Sequence, residues 1–347
     1  MTRLAAEQPE PVGRVSAMRL AVPRYFPGVL ASATVATAAM FLSEHYSAPV
    51  MVYALLLGMA FNFLTDEHGK TVAGIEFSSK ALLRLAVGLL GAQITFADIM
   101  RLGVAPVVTM VAGVVLTIGF GIVAAKVMRL DRSFGVLTAG SVAICGASAA
   151  MAISSVLPKG GNLERDTVFT VIAVTTLSTI AMVLYPILIS LFHLDHAAVG
   201  MFLGGTIHDV AQVVGAGYSV SEETGNVATF TKLLRVAMLL PVVLSLAFLF
   251  RSQVEEGANL VSRTFPGFLV LFAALVVVNS IGIVPEAVID AIKSASRWLL
   301  VTAIAALGMR TSLKAMASVG GRAIVLIVAE TVFLALFVLF VVLWLRL

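Results

Sequence analysis

The chain has 347 residues, of which 60% are hydrophobic and only 12% charged, with a formal net charge of +4. A soluble domain carries about 25% charged residues and has no core large enough to hide this much apolar surface, so a soluble globular fold is excluded. The basic residues gather at segment ends rather than in a stripe or arm, which argues against nucleic acid as a partner, and the lone Cys145 rules out an intrachain disulfide.

Residues 1–24 carry Arg3, Arg14, Arg19 and Arg24 beside Glu7, Glu10 and three prolines, and read as a cytoplasmic N-terminal segment. The apolar run that begins at Tyr25 is long and is followed by further runs, so it reads as an uncleaved first span rather than a signal peptide. Apolar windows near 20 residues predict eleven spans, at 25–43, 48–65, 75–94, 103–125, 134–156, 167–192, 197–219, 227–250, 265–283, 289–309 and 322–345. The fold class is therefore an all-α polytopic membrane protein, with one transmembrane domain over 25–345. Gly, polar or charged residues interrupt the third, fifth, seventh and tenth windows, while the fourth, sixth and eleventh are cleaner. Interrupted spans are where solute sites tend to be built.

With the N-terminus in the cytoplasm, Lys126, Arg129, Arg132, Arg251, Arg263, Arg310, Lys314 and Arg322 fall on the cytoplasmic side. The opposite loops hold chiefly Arg101, Lys159 and Arg165, in keeping with the positive-inside bias.

An ungapped shift of 217 residues superposes Pro49 on Pro266, Asn62 on Asn279, Ser79 on Ser296, Lys80 on Arg297, Leu90-Gly91 on Leu307-Gly308 and Gly103 on Gly320. The repeat halves are about 27–156 and 197–345. A displacement of seven spans makes the copies run in opposite directions, and inverted repeats with discontinuous helices belong to secondary transporters, whose site lies near the midplane.

Three stretches could carry chemistry. In the fifth window, Ser141, Cys145, Gly146 and Ser148 interrupt GSVAICGASAAM. An unwound glycine there would expose N–H groups to an anion; the alternative is a seam of small residues between helices. In the seventh, GGTIHDVAQ offers Gly204 and Gly205 for backbone freedom, then Thr206, His208, Asp209 and Gln212, with His208 and Gln212 spaced to share a helix face. Ionisable groups at membrane depth cost roughly 2.5–3.5 kcal/mol and are kept where they face a cavity, a partner or a solute. In the eighth, Lys232 and Arg235 share a helical face and either pair with Asp209 or meet an anionic solute.

Lys80, Arg84 and Arg297 could reach an interface by snorkelling, and Lys80 and Arg297 could also flank a site from both halves. Asn62 and Asn279 could support a broken helix or join two spans, and Glu330 could relay a proton, neutralise a cation or seal an oligomer contact. There is no P-loop, HExxH or CxxC, and His193 and His196 in FHLDHA read as a solvated turn, so neither enzyme activity, a metal nor a cofactor is expected.

The segments SVAICGASAAMA, GGTIHDVAQVVGAG, FTKLLRVAMLLP, LLGAQITFADIMRLG and ALGMRTSLKAM resemble the YeiH-type family named for sulfate export, over almost the whole chain from about residue 27. The resemblance implies a bacterial inner-membrane protein, distantly related in fold to sodium/proton antiporters and bile-acid symporters. It further implies a scaffold and a mobile domain with crossed discontinuous helices, and solute movement by an elevator motion. Ser141–Ser148, Thr206–Gln212, Lys232 and Arg235 would form the core of the moving domain.

The expectation is a secondary transporter for a small anion, sulfate-like or organosulfur. Ser141, Cys145, Gly146, Ser148, Thr206, His208, Gln212, Lys232 and Arg235 would bind the solute, and His208 and Asp209 would handle a coupling proton or sodium ion. Gly204, Gly205, Asn62 and Asn279 would support the helix breaks. The expected partners are the lipid bilayer, the small anion, the coupling ion and a second copy of the chain. A cation/proton antiporter or symporter of the same fold, or an anion channel or sensor, are the alternatives.

Overall fold

The computed structural model describes residues 14–46, 49–66, 69–158, 163–250, 267–282, 284–311 and 321–345. The first thirteen residues of the expected N-terminal segment, and the topology signals Lys159, Arg251, Arg263 and Lys314, lie outside the described residues. Every regular element among the described residues is helical. In chain order these are α1 (Arg14–Tyr46), α2 (Val50–Ala60), α3 (Val72–Gln93), α4 (Phe96–Leu102), α5 (Ala105–Val127), α6 (Arg132–Ala143) and α7 (Ala147–Ser154). They continue with α8 (Leu163–Ser190), α9 (His196–Thr206), α10 (Val210–Val220), α11 (Glu222–Leu249), α12 (Gly267–Ile281), α13 (Glu286–Arg310) and α14 (Gly321–Leu345).

Six of these, α1, α5, α8, α11, α13 and α14, are long and apolar enough to cross a bilayer. They fall on the first, fourth, sixth, eighth, tenth and eleventh windows. The remaining windows are carried by short or bent helices. The third is α3, which passes through a π-turn at Ser78–Leu82 and then bends by 86° into α4. Thr95 and Asp98 cause that restart: the Asp98 N–H donates to Thr95 Oγ1 at 3.2 Å and the Thr95 N–H to Asp98 Oδ2 at 3.0 Å, a reciprocal cap for a new N-terminus.

The tenth window departs from expectation, because α13 is one unbroken helix. Its polar residues find partners without opening the backbone. Ser296 donates to the Ala86 carbonyl of α3 at 3.0 Å, Thr302 to its own helix at Trp298 at 2.9 Å, and Arg297 is exposed.

Two bundles result. The smaller joins α1, α2, α3, α12 and α13; the larger joins α5 to α11 and α14, and α10 lies against α2 and α13 between them. Very close approaches hold the small bundle. A Cβ on Gly308 would stand 2.3 Å from the Leu55 carbonyl oxygen, and one on Gly91 would stand 2.2 Å from that of Phe272. Only glycine permits backbones this near. Asn62 donates to the Met309 carbonyl at the end of α13, and Asn279 to the Ile94 carbonyl just past α3, so both asparagines finish helices of the small bundle rather than the breaks described next. Lys80 is half-exposed and paired with Glu76 at 2.6 Å, one turn away on its own helix.

Candidate solute site at two helix breaks

Two of the apolar windows in the large bundle are interrupted midway, at 144–146 between α6 and α7 and at 207–209 between α9 and α10. The first depends on Gly146, whose φ of +63° is a conformation that side chains with a Cβ resist. The second depends on Ile207 and Asp209, both extended (ψ 136° and 146°). The breaks touch: a Cβ on Gly146 would lie 3.6 Å from His208 Cβ.

A helix that ends inside a membrane leaves its last carbonyls without partners and its dipole unneutralised. Lys232 and Arg235, one turn apart on α11, resolve both problems at both breaks. Lys232 Nζ donates to the Ile144 carbonyl at 2.7 Å and to that of Ile207 at 3.0 Å. Arg235 donates through Nε to Ala143 at 2.7 Å, through Nη2 to Val142 at 2.6 Å, and through Nη1 to Ile207 at 3.2 Å and Gly204 at 3.3 Å. Both side chains are fully buried, and among the described residues neither forms an ion pair with Asp209. The pairing considered for Asp209 is replaced by a carbonyl cradle.

Asp209 works on its own helix. Its Oδ1 accepts the Ala211 N–H at 3.3 Å, capping α10, while its own N–H donates to Ser178 Oγ of α8 at 3.0 Å. It is half-buried, and the charges acting on it include Lys232 and, from the small bundle, Arg84.

His208 and Gln212 do not share a helix face, because the chain is extended at the break and α10 starts only at Val210. His208 Nε2 lies 3.0 Å from Thr331 Oγ1 of α14, and the Gln212 amide nitrogen donates to Thr179 Oγ1 of α8 at 3.3 Å. Both are fully buried, and His208 Nδ1 and Gln212 Oε1 have no hydrogen-bond partner. Buried polar atoms are seldom left in that state without a further role.

The other expected residues separate into two groups. Cys145 and Gly146 form the break itself, and Ser148 is exposed in the first turn of α7, which has no side-chain cap. Ser141 and Thr206 instead return their hydroxyls to their own helices, at Leu137 (2.6 Å) and Phe202 (2.7 Å). Gly204 and Gly205 stay inside α9 with ordinary helical φ. A Cβ on Gly204 would lie 2.3 Å from the Ala228 carbonyl oxygen of α11, so its part is close packing rather than backbone freedom.

Ser178, Thr179 and Thr331 also stand at the breaks, although no pattern in the sequence singles them out. Ser178 and Thr179 are two of several hydroxyls along α8, and Thr331 follows Glu330 in α14; only the fold places these three beside the breaks. His196 faces Ser221 and Thr224 at 3.1 Å each, and Asp195 caps α9. A cleft of about 370 Å³ lies in the small bundle, lined by Gln93, Asn279, Glu286, Asp290 and Lys293 among others, and the break residues do not contribute to it.

Residues 27–327 match the family model described as Conserved hypothetical protein 698. The chain belongs to that family. It is 54% identical over 333 residues to a UPF0324 membrane protein of Chlorobaculum tepidum, covering 96% of this chain and 93% of the relative. It is 53% identical over 315 residues to the UPF0324 membrane protein TauZ of Paracoccus pantotrophus, covering 90% and 93%. A UPF0324 membrane protein of Rhizobium meliloti is 50% identical over 328 residues, covering 94% and 95%. No solved structure gives a significant match. Membership in a family of membrane proteins agrees with the six long apolar helices.

Proposed function

We propose that this protein is a secondary transporter, not an enzyme, that moves a small anion of the sulfate or organosulfur class across the bacterial inner membrane by alternating access. The observation that carries this reading is the meeting of two helix breaks whose C-terminal carbonyls are already neutralised by Lys232 and Arg235. With the negative ends occupied and the start of α10 capped by Asp209, the positive end of α7 remains, and helix N-termini at broken spans receive anionic groups in transporters. Two buried cations against one carboxylate also leave the crossing net positive, which offsets the cost of desolvating an anion.

A cation exchanger built on Asp209 fits less well, since Asp209 Oδ1 is engaged with the Ala211 N–H and the two nearby cations, Lys232 and Arg235, are spent on backbone carbonyls. The N–H groups of Ala147 and Ser148, with the spare polar atoms of His208 and Gln212, would meet the solute, while the Gly146 N–H is held by the Ser141 carbonyl at 2.8 Å.

The two-bundle arrangement supports an elevator-type cycle with the small bundle as the frame and eleven membrane passages in all. Within that bundle, Gly91 meets Phe272 while Gly308 meets Leu55, and each residue of one contact lies 217 positions from its counterpart in the other. Such a reciprocal contact is what two inverted copies facing one another would make.

The test is a proteoliposome flux screen with labelled sulfate, sulfite, thiosulfate and small sulfonates, with and without a pH gradient. A carrier gives saturable counterflow of at least one of them. Current that grows with the gradient and does not saturate would indicate a channel instead, and no movement of any of the four would end the anion assignment.

A further inference from the structure

Glu330 lies in the middle of α14 and is fully buried within the chain, so it is not available to seal a contact between copies. Its surroundings are built around the carboxyl. A Cβ on Gly121 of α5 would stand 2.5 Å from Glu330 Oε1, and one on Gly135 of α6 would stand 2.8 Å from the Gly121 carbonyl oxygen. The two glycines thus bring α5 and α6 together and leave room for one carboxyl group.

Within that niche the Thr138 hydroxyl is 2.8 Å from Glu330 Oε1, and also 3.1 Å and 3.3 Å from the carbonyl oxygens of Phe134 and Gly135. It has one proton to share among three acceptors. Glu330 Oε2 has no partner at all.

Among the described residues no cation pairs with the carboxyl. The helices packed on α14 are α5, α6, α8 and α9. Their charged or titratable residues are Lys126 on α5, Arg132 on α6, Glu164, Arg165 and Asp166 on α8 and His196 on α9, all at helix ends, and the phenol Tyr185 on α8, which packs on Phe202 of α9. On α14 itself Arg322 is exposed, and from the break His208 is engaged by Thr331. A bare carboxylate in such a place is costly, whereas a carboxylic acid donates its proton to Thr138 and frees that hydroxyl for the Phe134 carbonyl.

The position of Glu330 joins it to both breaks. Thr138 lies on α6, whose end Arg235 and Lys232 hold, and the neighbouring Thr331 touches His208 in the other break. We propose that Glu330 is the proton-binding site of the transport cycle, carrying its proton while α6 and α14 are closed on it and exchanging that proton when water reaches the niche. This rests on the transporter reading for its purpose, but the presence of the proton can be tested without any solute.

The experiment uses the full chain in lipid and the variant Glu330→Gln. Infrared titration of the wild type should show a protonated-carboxyl band at neutral pH that Glu330→Gln lacks. In proteoliposomes the variant should keep labelled-sulfate counterflow but lose the increase in flux that a pH gradient gives the wild type. Gradient-driven flux persisting in Glu330→Gln, a band unchanged by the substitution, or a folded variant without counterflow each overturns the proposal. If Glu330→Gln does not fold, Glu330→Asp decides: the band must persist with a shifted midpoint, and an unshifted midpoint refutes the assignment. If the wild type itself moves no sulfate, the transport reading fails for that solute while the infrared result still stands or falls alone.

Discussion

At the break between α6 and α7 and at the one between α9 and α10, the arriving helices finish in the same way, with their last carbonyls on Lys232 and Arg235. The departing helices differ. α10 begins with its cap in place, since Asp209 holds the Ala211 N–H, Ser178 holds Asp209 and Thr331 holds His208. α7 begins at Gly146 with no side-chain cap and an exposed Ser148. The contrast separates two requirements of a site inside a membrane. Negative helix ends must be neutralised for the protein to fold, and a positive end must stay unclaimed for a solute to be bound.

The sharpest way to break this comparison is Arg235→Met, which removes donors from four carbonyls spread over both breaks. Loss of one partner from a buried charged network costs about 3–5 kcal/mol, so a large fall in Tm is expected, with little folded protein recovered from membranes. Lys232→Met should cost less, because Arg235 still covers Ile207. The reverse order would show that the cradle is centred on Lys232.

Gly146→Ala forces a Cβ into a positive-φ backbone (φ +63°, ψ −123°) at a cost of ~1–3 kcal/mol and should abolish counterflow, since it disturbs the uncapped end. Asp209→Ala removes a cap worth about 1 kcal/mol, whereas Asp209→Asn keeps the cap and is expected to retain anion counterflow. If Asp209→Asn loses all flux while Gly146→Ala keeps it, the assignment of the open end to α7 is wrong. Smallest of all, Asn62→Ala and Asn279→Ala should each lower stability by about 1 kcal/mol and leave solute affinity untouched, because both act in the small bundle.

Much of this was legible from residue chemistry alone. Cys145-Gly146 and Ile207-His208-Asp209 announced themselves as polar islands in hydrocarbon, and the spacing of Lys232 and Arg235 put both cations on one helical face. Their partners were not legible, because backbone carbonyls carry no sequence signal, and Asp209 was the nearest negative charge to be seen. The relation of His208 to Gln212 is hidden for a similar reason, since a helical period does not carry across a point where the helix stops. Gly204 and Gly205 looked like hinges, but a glycine that loosens a backbone and one that admits a neighbour read identically in sequence. The continuity of α13 was obscured by Ser296 and Arg297, whose partners lie on another helix or in the surroundings.

The half-helix α10 has its capped start at the crossing and its flank against α2 and α13. At Gly215 it presents no side chain, and a methyl there would press on Met182 at 2.3 Å and Ile304 at 3.3 Å. Any shear between the bundles is therefore delivered to the same eleven residues whose first turn Asp209 anchors. In the elevator-type cycle proposed above, this element would serve as an axle, one end at the crossing and its side-chain-free face between Met182 of the large bundle and Ile304 of the frame.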